Sequence, residues 1–226
     1  MDTFTQAEPY ALTENERDQF RALWTWRHNE YDDELDPLRV LHFQRLLTEV
    51  ARLPSGDYIE MGTQHGCTAK VIFDLMVSDA HLYCFDTFEG FHPDDLKIED
   101  SIRAHGFTTD SIPKVDFRQV PEKILGVGRT SDRLTLVPGR VPHTLEPFAH
   151  LRFRFAHLDM DLYEPTAQGL SWLWPRMVPG GLIFLHDYDA LPSVRKAVDE
   201  FARPKGLLAI PMSDRFGSSL LFKSPG

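Results

Sequence analysis

Two stretches of the chain bring carboxylates and imidazoles to the ends of apolar runs. His157-Leu158-Asp159-Met160-Asp161 completes the run that starts at Phe153, and His186-Asp187 directly follows Leu182-Ile183-Phe184-Leu185. Adjacent parallel strands lie about 4.8 Å apart, so two such strands would gather Asp159, Asp161, His186 and Asp187 in one neighbourhood. Acids that converge with no basic residue among them repel one another. Either a divalent cation neutralises them or at least one carboxyl keeps its proton. Oxygen ligands favour Mg²⁺, Mn²⁺ or Ca²⁺, and coordination by the His186 imidazole would tilt the choice towards Mn²⁺, Fe²⁺ or Zn²⁺. Helix capping accounts for one of these acids but not for four convergent groups.

A second set of residues points to a cofactor. Glu60-Met61-Gly62-Thr63-Gln64-His65-Gly66 ends a short β-prone run and leads into helical character from Thr68. This turn is close to the GxGxxG dinucleotide fingerprint but has an acid where a glycine should stand. Gly62 lets a ligand approach the backbone and the following helix offers its N-terminal amides, whereas Glu60 would repel a pyrophosphate. A cofactor with positive charge and no phosphate suits the turn, and S-adenosylmethionine, with its sulfonium and ammonium groups, is such a molecule. Asp86 lies 24 residues after Gly62 at the end of a second strand, where α/β sites place a carboxylate on ribose hydroxyls. Gly139, past a third strand, could let an adenine edge lie against the backbone. Two glycines alone could simply make a tight βα turn; the spacing to Asp86 gives the pair its weight.

The elements that must position these residues follow from periodicity. A helix from Leu38 carries Leu46, Leu47, Val50 and Leu53 and is closed by Pro54-Ser55-Gly56. Strands are expected over 57–61, 81–85, 133–137, 153–158 and 182–185. A helix with Leu170, Leu173, Trp174 and Met177 is read as stopped by Pro179-Gly180-Gly181, and Pro192 opens another with Val194, Ala197, Val198 and Phe201. Two closing strands, Leu207–Pro211 and Ser218–Phe222, are expected to pair. Alternating strands and helices imply a doubly wound, mostly parallel α/β sheet with ligands at the carboxyl ends of its strands. Residues 1–37, with Trp24, Trp26 and Tyr31, are read as a partly helical arm. Together with the long segment 87–132 they should form the acceptor pocket and lid, with Phe88, Phe91, Phe107 and Phe117 as local core and Cys67 as a small buried residue of the first βα helix.

Composition narrows the function further. The 226 residues suit one domain, and 24 basic against 34 acidic side chains give a net charge of −10, the wrong sign for a nucleic-acid partner. Two cysteines without metal or disulfide spacing, and no apolar run of membrane-spanning length, point to a cytoplasmic protein with no membrane partner.

The runs LYCFDTFEGF (82–91), HLDMDLYEPT (157–166) and VPGGLIFLHDYDALPSVRKAVDEF (178–201), with the EMGTQHG turn, resemble the macrocin O-methyltransferase family across residues 38–201. The resemblance implies a Rossmann-like class I methyltransferase fold, a seven-stranded sheet whose last strand is antiparallel. It implies S-adenosylmethionine as cofactor, a divalent metal, usually Mg²⁺ with Mn²⁺ as alternative, and a role in antibiotic tailoring. Position by position, it has Glu60, Gly62 and Gly66 shape the methionine end of the cofactor pocket, which Asp159 borders, while Asp86 holds the ribose. Asp159 and Asp187 would be metal ligands and Asp161 the general base. The family usually has two adjacent aspartates where this chain has His186-Asp187, so His186 either supplies nitrogen in place of an oxygen ligand or leaves the shell. The acceptor would be a hydroxyl of a small natural product or sugar. A DxD glycosyltransferase would want basic residues near its phosphates, a nicotinamide oxidoreductase would want GxGxxG, and a non-catalytic cofactor-binding protein has no use for the acid cluster. The aromatic arm could equally pack across a homo-oligomer or fold over its own site.

Overall fold

The structure, a computed structural model, describes residues 36–97 and 107–225. The N-terminal arm with Trp24, Trp26 and Tyr31 therefore lies outside the described residues, as do residues 98–106 of the long segment. In chain order the elements are α1 (Pro37–Val50), β1 (Asp57–Met61), α2 (Cys67–Leu75), β2 (Leu82–Asp86), α3 (Pro93–Lys97), α4 (Val120–Leu125) and β3 (Leu134–Pro138). Then follow β4 (Phe153–Leu158), α5 (Tyr163–Leu173), β5 (Met177–Leu185), α6 (Pro192–Ala202), β6 (Ile210–Pro211) and β7 (Ser219–Phe222). The seven strands form one sheet in the order β3-β2-β1-β4-β5-β7-β6. The five strands β1 to β5 pair in parallel, and β7 is antiparallel to both its neighbours, as the family resemblance implies.

Strand alternation divides the core between two faces. On one side α1 and α2 cover Tyr58, Phe155, Phe184 and Leu220; on the other α5 and α6 cover Ile59, Met61, Ile183 and Leu221. Every residue of β4 is buried, including Arg154 and His157, because it is central and covered on both faces. Helix α1 starts at Asp36, whose Oδ1 accepts the Leu38 N–H at 2.9 Å, with Pro37 at its first position. Its buried face is Arg39, Val40, Phe43, Leu47 and Val50, and it ends at Val50, with Leu53 in the turn that follows. Phe43 fixes it to the sheet through edge contacts to Phe155 (5.4 Å), Phe184 (5.0 Å) and the His157 ring (5.2 Å).

Three boundaries differ from the expectation. The helix expected to run to Pro179 ends at Leu173, followed by a single 3₁₀ turn, Trp174–Arg176. Pro175 has no N–H to continue the helical ladder, so Met177 opens β5 instead of closing a helix. Pro179-Gly180-Gly181 lies inside β5, where Gly180 N–H donates to the Lys223 carbonyl and Lys223 N–H to that of Gly181. At the sheet edge β6 shrinks from the expected five residues to Ile210–Pro211, a proline at a strand edge having no donor for a longer ladder. Within 87–132 the described residues hold two short helices, α3 and α4. Phe88 is buried in the core with Phe117 packed near it, while Phe107 backs Phe91 at 5.6 Å. No helix among the described residues is long and apolar enough to cross a membrane.

Phe43→Ala should cost about 3–5 kcal/mol, since it empties the contact between α1 and the sheet. Urea unfolding measures this, and a loss below about 1 kcal/mol would mean that α1 is not docked through Phe43.

Candidate active site

The parallel ladder runs one residue past the ends of β1, β3, β4 and β5, and those residues are the predicted ones. Gly62 N–H donates to the Phe85 carbonyl (2.8 Å), Gly139 N–H to that of Asp86 (2.8 Å), Asp159 N–H to that of Met61 (2.8 Å) and His186 N–H to that of Leu158 (2.9 Å). Beyond these bonds the chain turns sharply. Gln64, Phe88, Asp161 and Asp187 have φ between 46° and 58°, and they are the only non-glycine residues with positive φ among those described. Such strain collects where function demands a particular backbone path.

Two cavities open along this rim, of about 740 and 570 Å³ with the solvent at their mouths included, and they share Gly62, Gln64 and Asp159. The larger holds Asp86, Gly139 and Asp161. Asp86 Oδ2 accepts the Gln64 N–H at 2.8 Å and Oδ1 the Phe88 N–H at 2.6 Å, which fixes the carboxylate; burial raises its pKa against these two donors. Thr87, Gly90, Phe91, His92, Asp95 and Ile112 also line this cavity, so the first part of the long segment covers the Asp86 side of the site. Arg140, next to Gly139, is tied to buried Asp95 through Nε at 3.0 Å.

The glycines act differently from each other. A Cβ on Gly62 would lie 1.7 Å from the Asp159 carbonyl oxygen, so β1 and β4 approach too closely there for any side chain. Gly66 is the N-cap of α2, where a Cβ would meet Val120 and Ile124 at 2.9 Å; it packs α2 on α4 and lies outside both cavity walls.

The smaller cavity contains Asp159 and His186 together with Arg39, His65, Cys67 and Phe216. Cys67, expected to be buried, is half-exposed at the start of α2. One ligand atom each from Asp159, His186 and Asp187 lies within 4.8 Å of the others. His186 Nδ1 reaches Asp159 Oδ1 at 2.8 Å and Asp187 Oδ2 at 3.2 Å, so the imidazole faces both carboxylates. Burial works against its cationic form, but the charge of Asp159 and hydrogen bonds to both acids outweigh it and push the pKa up to about 10. Burial likewise opposes the Asp159 carboxylate, yet His186 and Arg39, whose Nη1 is 3.6 Å away, hold its pKa below the usual range. Asp161 goes the other way: burial, the charges of Asp159 and Asp187 and a hydrogen bond to Asp187 raise its pKa well above the ordinary value. Two carboxylates and an imidazole so arranged fit a divalent cation, and the buried His186 Nε2 has no partner among the described residues.

Glu60 is placed differently from the expectation of an acid facing the ligand. It lines neither cavity and is fully buried, with Oε1 3.0 Å from His157 Nδ1. Burial lifts its pKa well above 4.5 and depresses that of His157 to about 3, so the pair is neutral and Glu60 contributes no charge to a cofactor. Arg39, Phe216 and His157 escaped sequence reasoning. A signal existed for Arg39, which lies four residues before Phe43 and thus on the apolar face of α1. Between pH 4.5 and its raised pKa, native Glu60 holds a proton that the unfolded chain has lost, so its contribution to stability falls as pH rises. Glu60→Gln lacks that loss. The stability of the variant relative to wild type should rise from pH 5 to 8 by up to about 1.4 kcal/mol per unit, and a constant difference in urea unfolding would show that Glu60 is ionised.

Comparison with known proteins fits this geometry. The chain is 29% identical over 177 residues to the 8-demethyl-8-(2,3-dimethoxy-α-L-rhamnosyl)-tetracenomycin-C 4′-O-methyltransferase of Streptomyces olivaceus, covering 74% of this chain and 66% of that protein. It is 24% identical to the mycinamicin III 3″-O-methyltransferase of Micromonospora griseorubida, over 67% of this chain and 62% of the relative. The chain thus spans just under two thirds of the length of these relatives. The solved O-methyltransferase NovP superposes with a TM-score of 0.68 at 21% identity, covering 84% of this chain and 81% of that one, which supports the class I methyltransferase fold. The sequence profile of the macrocin O-methyltransferase (TylF) family matches residues 37–217, and the chain belongs to that family.

Proposed function

We propose that the protein transfers a methyl group from S-adenosylmethionine to a hydroxyl on the sugar of a small glycosylated molecule. The observation that carries this reading is the meeting, at Gly62 and Asp159, of a cavity bearing Asp86 with the cluster Asp159, Asp161, His186 and Asp187. The name of the Streptomyces olivaceus relative, whose substrate carries a rhamnosyl group, supports a glycoside as acceptor.

On this reading the adenosine occupies the larger cavity. Asp86, its carboxylate pinned by two backbone amides, accepts the ribose hydroxyls, and Gly139 admits the adenine edge. Residues 87–95 cover the cofactor, and the reactive methyl lies towards the wall that the two cavities share. Asp159, His186 and Asp187 would hold a divalent cation, which supplies a lower pKa and a fixed direction for an acceptor hydroxyl bound to it. Asp161 takes the hydroxyl proton as the oxygen bonds to the methyl carbon and the carbon–sulfur bond breaks, leaving a neutral thioether. Burial and neighbouring acids raise the basicity of Asp161, which suits it to hold that proton.

Transfer of labelled methyl from S-adenosylmethionine should occur to rhamnosyl glycosides and not to simple phenols; transfer to phenols alone would sink the sugar assignment. Asp161→Asn should lower kcat by about 10²–10⁴-fold while leaving the affinity for S-adenosylhomocysteine unchanged. Normal turnover in that variant would remove Asp161 as the base. Chelation should abolish turnover and Mg²⁺ or Mn²⁺ should restore it, whereas full activity in chelator would exclude the metal role of the cluster.

A further inference from the structure

We propose that Arg39 and the first turn of α2 form the seat for the carboxylate of the cofactor's amino-acid arm; this rests on the S-adenosylmethionine reading above. Arg39 is only 5% exposed, and its guanidinium has far more donors than partners among the described residues. Its ion-pair contact to Asp159 Oδ2, at 3.6 Å, is longer than a hydrogen bond, and its buried Nε has no partner among the described residues. A buried cation in that condition is costly unless a ligand completes it, and the planar fork of arginine matches a carboxylate.

The same cavity receives the start of α2. Cys67 and Thr68, the first two residues of this nine-residue helix, line its wall, and the N-cap Gly66 supplies no side chain to cap the helix. A helix start without its own cap favours an anion, and here the buried guanidinium shares the cavity with it. The position of Arg39 is fixed from two sides. Asp36 caps α1 and also accepts the N–H of Arg215, and His42 Nε2 lies 3.3 Å from the Ser213 carbonyl, tying α1 to the loop before β7.

The path of the cofactor supplies the remaining step. Asp86 fixes the ribose in the larger cavity, and the two cavities meet at Gly62, Gln64 and Asp159. The amino-acid arm therefore passes Gly62 into the smaller cavity, and its carboxylate is the one anionic group in the cofactor. A guanidinium that merely neutralises Asp159 would show no preference among ligands that differ only in this arm.

Calorimetric titration of three ligands decides the matter: S-adenosylhomocysteine, its decarboxylated analogue S-adenosyl-3-thiopropylamine, and 5′-methylthioadenosine, which lacks the whole arm. Wild type should bind S-adenosylhomocysteine at least about tenfold more tightly than the decarboxylated analogue. Arg39→Met should erase that difference while changing the affinity for 5′-methylthioadenosine by less than about twofold, and Arg39→Lys should keep part of it. Equal affinity of wild type for S-adenosylhomocysteine and the decarboxylated analogue overturns the proposal even if Arg39→Met fails to fold. An equal loss for all three ligands in a folded Arg39→Met also overturns it, since the residue would then act only on the shape of the site. Wild type that binds none of the three removes the cofactor reading itself, whereas wild type that binds all three equally removes only the role of Arg39.

Discussion

The site depends on one constraint, the level at which four parallel strands stop. Met61 is in register with both Phe85 and Leu158, and Leu158 with Leu185, so β1, β4 and β5 end together and β2 runs one residue further, to Asp86. The residue after each of β1, β4 and β5 still donates its N–H to the last carbonyls of a neighbouring strand, and Gly139 does the same for Asp86. Only then do the chains diverge. A slip of one residue in any strand would turn its side chains to the opposite face and remove a carboxylate from the cluster. The closeness of β1 and β4 follows from the same ladder, and it leaves room at position 62 for glycine alone.

Holding acids at such a rim requires opposing charge, and the structure provides it asymmetrically. Asp159 is flanked by His186 and Arg39, and its carboxylate is stabilised; Asp161, turned towards Asp187, faces another acid and is the more basic of the two. Two acids two residues apart thus acquire opposite character from their neighbours, as the proposed roles of ligand and base require. The positive φ of Asp161 and Asp187 belongs to the same arrangement, since a left-handed residue reverses the chain at once and returns its side chain to the rim. Behind them the neutral Glu60–His157 pair fills the sheet face under the cluster without adding charge to it.

Much of this was legible in the sequence. Strands β1, β2, β3 and β4 could be bounded almost to the residue, because short β-prone runs end at glycines or acids. The grouping of Asp159, Asp161, His186 and Asp187 followed from strand adjacency alone. Boundaries were lost where a local signal competed with a distant one: Pro179-Gly180-Gly181 has the form of a helix stop, but its backbone is committed to the β7 ladder. The charge given to Glu60 went astray for a related reason. Sequence shows an acid beside a glycine turn, while its ionisation depends on burial by residues from α1, β4 and β5. Arg39 and Phe216 reach the site from α1 and from the loop between β6 and β7, and their convergence is a property of the closed sheet that no local window contains.

On the proposed reading, the electrostatic balance also accounts for an acidic protein suiting a cationic cofactor without binding the product in the same way. Attack by an oxygen losing its proton on a sulfonium brings opposite charges together and annihilates them, so a poorly solvated site favours the transition state over the separated ions. The rim has that character, with Asp187 and His186 both buried and Asp159 only 23% exposed. What must not be neutralised is the acceptor's proton sink. Asp159 is given to the cations on one side, and Asp161, the proposed proton acceptor, lies in the other cavity wall with no cation of its own among the described contacts. A site that paired both acids equally would lose its base; one that paired neither would carry two strained carboxylates and no fixed direction for the acceptor.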